Sequence, residues 1–251
     1  MAAEPGVDLS ARHGRFTGGA GAADERRRLL AITLAAAEAS GVARWCLDTA
    51  VDYAKVREQF GQRIGAFQAI KHLCAQMLET AESVTAAAWD AAAAGDADDV
   101  EQWSFAVDVA QATCFDGAVE IAKSCIQVLG GIGFTYEHDA HLYLRRALTL
   151  RALAGSADEA AERITVAAVA GVRRRVDVDL EGRDATVRPE VAAEAVRIGA
   201  LPEEERRAAL VEAGYLTPHW PAPYGLGADP TLQPGHRPGA WGARASYGRT
   251  W

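Results

Sequence analysis

Four side chains between Tyr53 and Gln68 have the types and spacing to hold a phosphate and a flat ring. They are Arg57, Gln59, Phe60 and Gln68, set around a turn that carries Gly61 and Gly65. A guanidinium at a helix end offers bidentate contact to a phosphate. The two amides can reach ribose or pyrophosphate oxygens, and a phenyl ring can pack on a purine. Each also has a plainer role: Arg57 as a solvated surface arginine, Phe60 as a core residue at a helix junction. A second corner, Gln127 to Phe134, holds Gly130, Gly131 and Gly133. Glycines let a backbone approach a ligand closely. They also simply break a helix, and the sequence leaves both roles open.

The elements that must position these corners read as long helices. Alanine is abundant and β-branched runs are few, which favours helix. Apolar residues recur at three-four spacing from Asp24, with Leu30, Leu34, Ala37, Gly41 and Trp45 on one predicted face and Cys46, Thr49 and Tyr53 on another. The first helix is expected over about 23–57 and the second from near Ala66 to 94–96. Gly95 is the expected left-handed stop, and Asp96, Asp98 or Asp99 the next cap. The third helix carries Trp103, Val107, Cys114, Ile121 and Val128 and must break at Gly130. Shorter helices are expected over about 137–148 and from a capping box at Ser156–Glu159 to Val172. The fold class is therefore all-α, an up-and-down helical bundle with an irregular C-terminal extension.

Residues 1–22 show no period and are expected to form a flexible lead; 23–173 form the bundle; 174–200 read as a linker, with Arg173–Arg175 and a charged run. Short helices are expected near 187–198 and 202–213. The region from Gly235 to Trp251 has no core-forming pattern and is expected to be poorly ordered. The net charge of −8 argues against general nucleic-acid binding. No apolar run reads as a membrane span and no secretion signal is evident, so a cytoplasmic location is expected. Cys46, Cys74, Cys114 and Cys125 show no C-x-x-C or ligand spacing, and free thiols are expected. No metal site is expected.

Taken together, Y-A-x-x-R-x-Q-F-G-x-x-I-x-x-F-Q followed by Q-x-x-G-G-I-G-F-T-x-E-H-D-x-H-L-Y-L-R-R-A resembles the C-terminal helical domain of the acyl-CoA dehydrogenases. The resemblance spans about Asp24 to Val172. It implies an FAD-dependent oxidation of the Cα–Cβ bond of an acyl-CoA thioester. It implies FAD contacts by Arg57, Gln59, Phe60, Gln68, Gln127, Gly130 and Gly131, shared with a neighbouring subunit of a homo- or hetero-oligomer.

Two departures follow. The family's usual catalytic Glu position holds Ala154, and the alternative position on the first helix holds Ala31. Alanine takes no proton, so no catalytic residue is expected here. Asp158 and Glu159 are nearby, but helix capping is their plain role. The resemblance implies N-terminal helical and middle β-domains before Asp24, and residues 1–23 are too few to form them. Leu201 to Pro230 resembles the start of a second N-terminal domain, so that 201–251 reads as part of a second copy in a tandem fusion. Tandem or heteromeric members, including those of actinobacterial steroid side-chain breakdown, pair a catalytic half with a base-less half. The expected function is thus the base-less, FAD-contacting half of an acyl-CoA dehydrogenase. The alternative is a non-catalytic helical scaffold that only oligomerises with a full-length relative.

Overall fold

The computed structural model describes residues 3–4, 6–11, 13–14, 24–97, 99–175, 182, 185 and 187–229. The chain divides into two compact units, residues 1–175 and 176–251. The expectations for the Asp177–Arg183 charged run and for Gly235–Trp251 fall largely or wholly outside the described residues.

The first unit is a bundle of five helices: α1 (Glu25–Val56), α2 (Gln68–Asp96), α3 (Val100–Leu129), α4 (Ala140–Ala154) and α5 (Ala157–Val169). The remaining structure is short: a two-residue pairing of β1 (Ala3–Glu4) with β2 (His13–Gly14), and another of β3 (Glu58–Gln59) with β4 (Gln62–Arg63). Helices α1, α3 and α5 start where a side chain satisfies free N–H groups of the first turn. Asp24 accepts from Arg26, Asp99 from Gln102, and Ser156 from both Asp158 and Glu159. Of the expected caps for α3, Asp99 is the one used.

The three long helices pack through small side chains. Ala36, Ala39, Ala43, Ala50 and Ala54 of α1 are buried, as are Ala81, Ala87, Ala88, Ala91 and Ala94 of α2 and Ala106, Ala110, Ala118 and Ala122 of α3. Alanine keeps the backbones close, and larger groups fill the gaps between them. Leu29, Met77, Val84, Phe115 and Ile121 are the bulky members of this core. At Gly117 a Cβ would lie 2.7 Å from the Val84 methyl group, so α2 and α3 approach with no room for a side chain there.

Several details differ from the sequence expectation. The row Leu30, Leu34, Ala37 and Gly41 lies outward: Leu30 is 51% exposed and Leu34 62%. The buried face of α1 is instead Leu29, Ile32, Thr33, Ala36, Ala39, Val42, Ala43 and Cys46. Both rows are apolar, and spacing alone does not say which meets α3. Gly95 is not the stop of α2, because it lies inside the helix. Its lack of a side chain admits the Trp103 indole, 3.1 Å from where a Cβ would stand. The fourth helix starts and ends later than the expected 137–148. His138 Nδ1 accepts from the Ala140 N–H, and Gly155 at φ 91° supplies the stop. One further reading changes: α1 contains an 18-residue window with mean hydropathy 1.3, long and apolar enough to cross a bilayer by that measure. Leucine, isoleucine and valine raise that value together with alanine, and 44% of the window is buried in the bundle.

Arg173–Arg175 are tied to the bundle. The Gln102 side chain donates to the Arg173 carbonyl (3.1 Å) and accepts from the Arg175 N–H (2.7 Å), while Arg174 forks onto Asp90. The second unit contains α6 (Arg188–Gly199) and α7 (Glu203–Glu212). Gly214, at φ 75°, ends α7. The following turn is closed by the Gly227 N–H donating to the Trp220 carbonyl and by Thr217 Oγ1 donating to the Tyr224 carbonyl.

Candidate functional site

The Arg57–Gln68 stretch is held at the end of α1 by two devices. The Arg57 N–H still donates to the Tyr53 carbonyl, and the Arg57 carbonyl accepts from Ile64 (2.8 Å), which closes a tight loop. Gly65 then lies on the last turns of α1; a Cβ there would stand 2.8 Å from the Ala54 carbonyl oxygen. Between these anchors β3 and β4 form a hairpin with the two-residue loop Phe60-Gly61.

Both loop residues have positive φ, 54° at Phe60 and 79° at Gly61. That is the primed two-residue turn, which matches the twist of paired strands and calls for Asn, Asp or Gly at its first position. Phenylalanine there costs about 1–2 kcal/mol. No burial offsets the cost, because Phe60 is 91% exposed and meets Phe67 only edge-on, at 6.2 Å between centroids. An aromatic ring is thus fixed in solvent by a strained backbone.

The second corner comes to the same place. The last turn of α3 passes into a 3₁₀ turn at Gly130–Phe134. Gly130 takes φ 62°, and Gly133 packs so tightly that a Cβ would lie 2.7 Å from the Ile126 carbonyl oxygen. Gly131 is different: a Cβ there would meet nothing within 4 Å. Its missing side chain leaves open space rather than relieving a clash.

These two corners share a cleft of about 670 Å³. Tyr53, Arg57, Gln59, Phe60, Ile64, Phe67 and Ile70 line it from the first, and Val128, Leu129, Gly130, Gly131 and Ile132 from the second. The lining is apolar with a polar rim, the ordinary make-up of a small-molecule site. No described residue pairs with the Arg57 guanidinium. Gln59 Nε2 donates to the Glu58 carbonyl (2.8 Å), which leaves its amide oxygen available. Of the seven candidate residues, Arg57, Gln59, Phe60, Gly130 and Gly131 are brought together here. Gln68 and Gln127 are exposed but do not line the cleft. Its apolar lining from α2 and α3, Ile70, Val128 and Leu129, was read in the sequence as core or not singled out.

The cleft has one guanidinium, Arg57, and one side-chain amide, Gln59, but no carboxylate among its lining residues. Ala31 lies exposed on α1, and Ala154 is buried at the end of α4. The segment after Ala154 is pinned: Gln111 Nε2 donates to the Ser156 carbonyl (3.2 Å), and Arg163 bridges Gln111 Oε1 (2.8 Å) and Asp108 (2.9 Å). The backbone N–H groups of Asp158 and Glu159 are both capped by Ser156 Oγ.

The four cysteines are free thiols. A hydrogen bond to Cys125, and burial, push the Cys46 thiol far above its ordinary range, and burial pushes Cys114 up to about 12. No group of three or more metal-ligating side chains gathers among the described residues.

FadE34 of Mycobacterium tuberculosis, an acyl-CoA dehydrogenase, is 57% identical over 209 residues, 83% of this chain and 29% of its own length. The acyl-CoA dehydrogenase IpdE2 of the same organism is 41% identical over 117 residues, 47% of this chain and 35% of its own. This chain therefore spans about a third of the relatives it matches. Among solved structures, a glutaryl-CoA dehydrogenase in complex with glutaryl-CoA is 30% identical with a TM-score of 0.55, covering 60% of this chain and 38% of that one. The Tcur3481-Tcur3483 steroid ACAD is 26% identical with a TM-score of 0.55, covering 59% of this chain and 40% of that one. Residues 21–172, which contain both corners and the whole bundle, match the acyl-CoA dehydrogenase C-terminal domain, and the chain belongs to that family.

Proposed function

We propose that this chain is the FAD-contacting helical module of an acyl-CoA dehydrogenase and that it supplies no catalytic base. The observation that carries the reading is Phe60. A 91%-exposed aromatic ring on a strained backbone shares the rim of a 670 Å³ cleft with a guanidinium that pairs with no described residue. Proteins hold such strain where a ligand contact requires it.

The residues fit a dinucleotide. Arg57 offers a bidentate donor pair to a pyrophosphate, Gln59 offers an amide group, and Phe60 offers a face or edge to a heterocycle. Gln68 and Gln127 offer further amides from the exposed surface outside the cleft lining. Gly130 and Gly131 let the ligand reach the backbone, Gly131 by leaving open space. When bound, FAD would supply the hydride acceptor for oxidation of an acyl-CoA. The proton acceptor must come from elsewhere, because Ala31 and Ala154 occupy the two base positions and no carboxylate lines the cleft. Removing a general base costs about 10²–10⁴ in rate. The module is therefore read as one half of a tandem or heteromeric enzyme, with a neighbouring acyl-CoA dehydrogenase subunit completing the site.

The test is FAD binding by the purified chain, alone and with a full-length relative that carries a Glu before Gly-Thr. Quenching of added flavin fluorescence by wild type and its loss in Arg57→Ala are expected. Flavin that binds neither the chain nor the mixture would sink the reading. Turnover of an acyl-CoA by the isolated chain would refute its base-less part.

A further inference from the structure

The N-terminal turn is anchored more firmly than its exposed surroundings require. Val7 and Leu9 face solvent, yet the Asp8 side chain between them is 1% exposed. It accepts from the Ser10 N–H (2.8 Å), from Ser10 Oγ (2.6 Å) and from Arg146 Nη1 (2.9 Å). The rest of the Arg146 guanidinium grips Glu38 of α1 through Nε (2.6 Å) and Nη2 (2.8 Å). One arginine of α4 thus ties the turn to α1. The β1–β2 pairing closes the turn at its base.

The neighbouring arginine leads elsewhere. Arg145 Nη1 donates to the Val7 carbonyl (3.2 Å), while its Nη2 donates to the Tyr136 hydroxyl (3.3 Å). Its guanidinium also lies 5.8 Å from the Tyr136 ring centre. Tyr136 follows Thr135, whose N–H and Oγ1 both bond the Ile132 carbonyl, at 3.1 and 2.8 Å. Ile132 lines the cleft. A continuous path of hydrogen bonds and one covalent step therefore runs from the turn at Asp8 to the glycine corner.

We infer that residues 6–11 are a docking strap whose seating, held by Asp8 on Arg146, positions the glycine corner through Arg145 and Tyr136. Arg145 is the junction because its planar fork holds two acceptors at a fixed angle. With the strap seated, Tyr136 is held from one side and the Gly130–Phe134 turn inherits its position. With the strap released, Arg145 loses one of its two acceptors and the turn gains freedom. Asp8 and Arg145 are positioning residues: neither lines the cleft. The inference does not depend on which ligand the cleft takes.

Hydrogen exchange on the full chain tests it, without any ligand. In Asp8→Ala, amides of 6–11 should exchange about tenfold faster or more, and those of 130–136 severalfold faster, with the buried amides of α2 unchanged. Tyr136→Phe removes the hydroxyl that Arg145 reaches. In that background Asp8→Ala should still free 6–11 but should no longer alter 130–136. Should Asp8→Ala fold poorly, Asp8→Asn gives the same comparison in a milder form. Faster exchange confined to 6–11, a uniform rise through all helices, or a response at 130–136 that survives Tyr136→Phe would each overturn the coupling.

Discussion

Replacing Phe60 with asparagine should stabilise the fold while weakening ligand binding. The magnitude follows from the turn. A side chain at φ 54° costs about 1–2 kcal/mol, and asparagine tolerates that conformation far better. Against this stands the loss of the ring. Phe60 is 91% exposed, so only about a tenth of a surface of ~200 Å² is buried, worth ~0.5 kcal/mol at ~25 cal/mol/Å². The edge contact with Phe67 adds about 0.5 kcal/mol. The expected balance is a gain between zero and about 1 kcal/mol, or up to about 4 °C in Tm for a bundle of this size. Urea melts read by circular dichroism would measure it, with flavin quenching run on the same samples. A residue kept for its ligand gives opposite signs in the two assays. Destabilisation beyond 1 kcal/mol would mean that the ring packs on something the fold needs, and unchanged flavin affinity would remove Phe60 from the site.

Three other outcomes are expected. Gly131→Ala should leave Tm within a degree or two yet impair flavin binding, since its Cβ enters open space; Gly133→Ala should lose more than about 2 kcal/mol in a chemical melt, because its Cβ meets the Ile126 carbonyl at 2.7 Å. Equal effects of the two would contradict the geometry. Burial disfavours ionisation of Asp8, but the hydrogen bonds from Ser10 and Arg146 outweigh it and hold the carboxyl below its ordinary 3.8. A depressed folded-state value means that its stabilisation is complete above the unfolded value and lost as pH falls through the folded one. Wild type should thus lose more stability than Asp8→Asn in a pH series from 5 downward, and parallel curves would refute this. In native protein at pH 8 a thiol reagent should label Cys74, which is partly accessible, well before Cys46, Cys114 and Cys125, which are buried. Rapid release of all thiols at once would show that the core opens.

The sequence already displayed the three long helices through their apolar periodicity, and the glycine stops of α3, α4 and α7 were chemically explicit: Gly130, Gly155 and Gly214 all take positive φ where the pattern breaks. Five of the seven candidate residues also meet at one cleft, since two motifs that flank helix ends fall together when α1 and α3 pack side by side. The face of α1 was not legible. Leu30 and Leu34 are more hydrophobic than the buried alanines of the same helix, yet these two leucines point outward. The Asp8–Arg146–Glu38 cluster and the Gln102 anchor for Arg173–Arg175 left no sequence signal. Their partners lie scores of residues apart, and no local spacing encodes them. The strained turn at Phe60 was half visible: Phe-Gly between polar pairs fits a two-residue loop, but two-residue strands are too short to show alternation.

The alanine-lined seam between α1, α2 and α3 sets a limit on how this protein can change. At these positions nearly every available substitution adds volume, and a close-packed core accepts added methylenes only by displacing backbone. Drift is confined to glycine, which weakens a helix interior, and serine, whose hydroxyl must find an acceptor within its own helix. Leucines on the outer row of α1 face no such restriction. Divergence among proteins built on this bundle should therefore accumulate on its outer faces and loop chemistry, while the spacing between the three helices stays nearly constant.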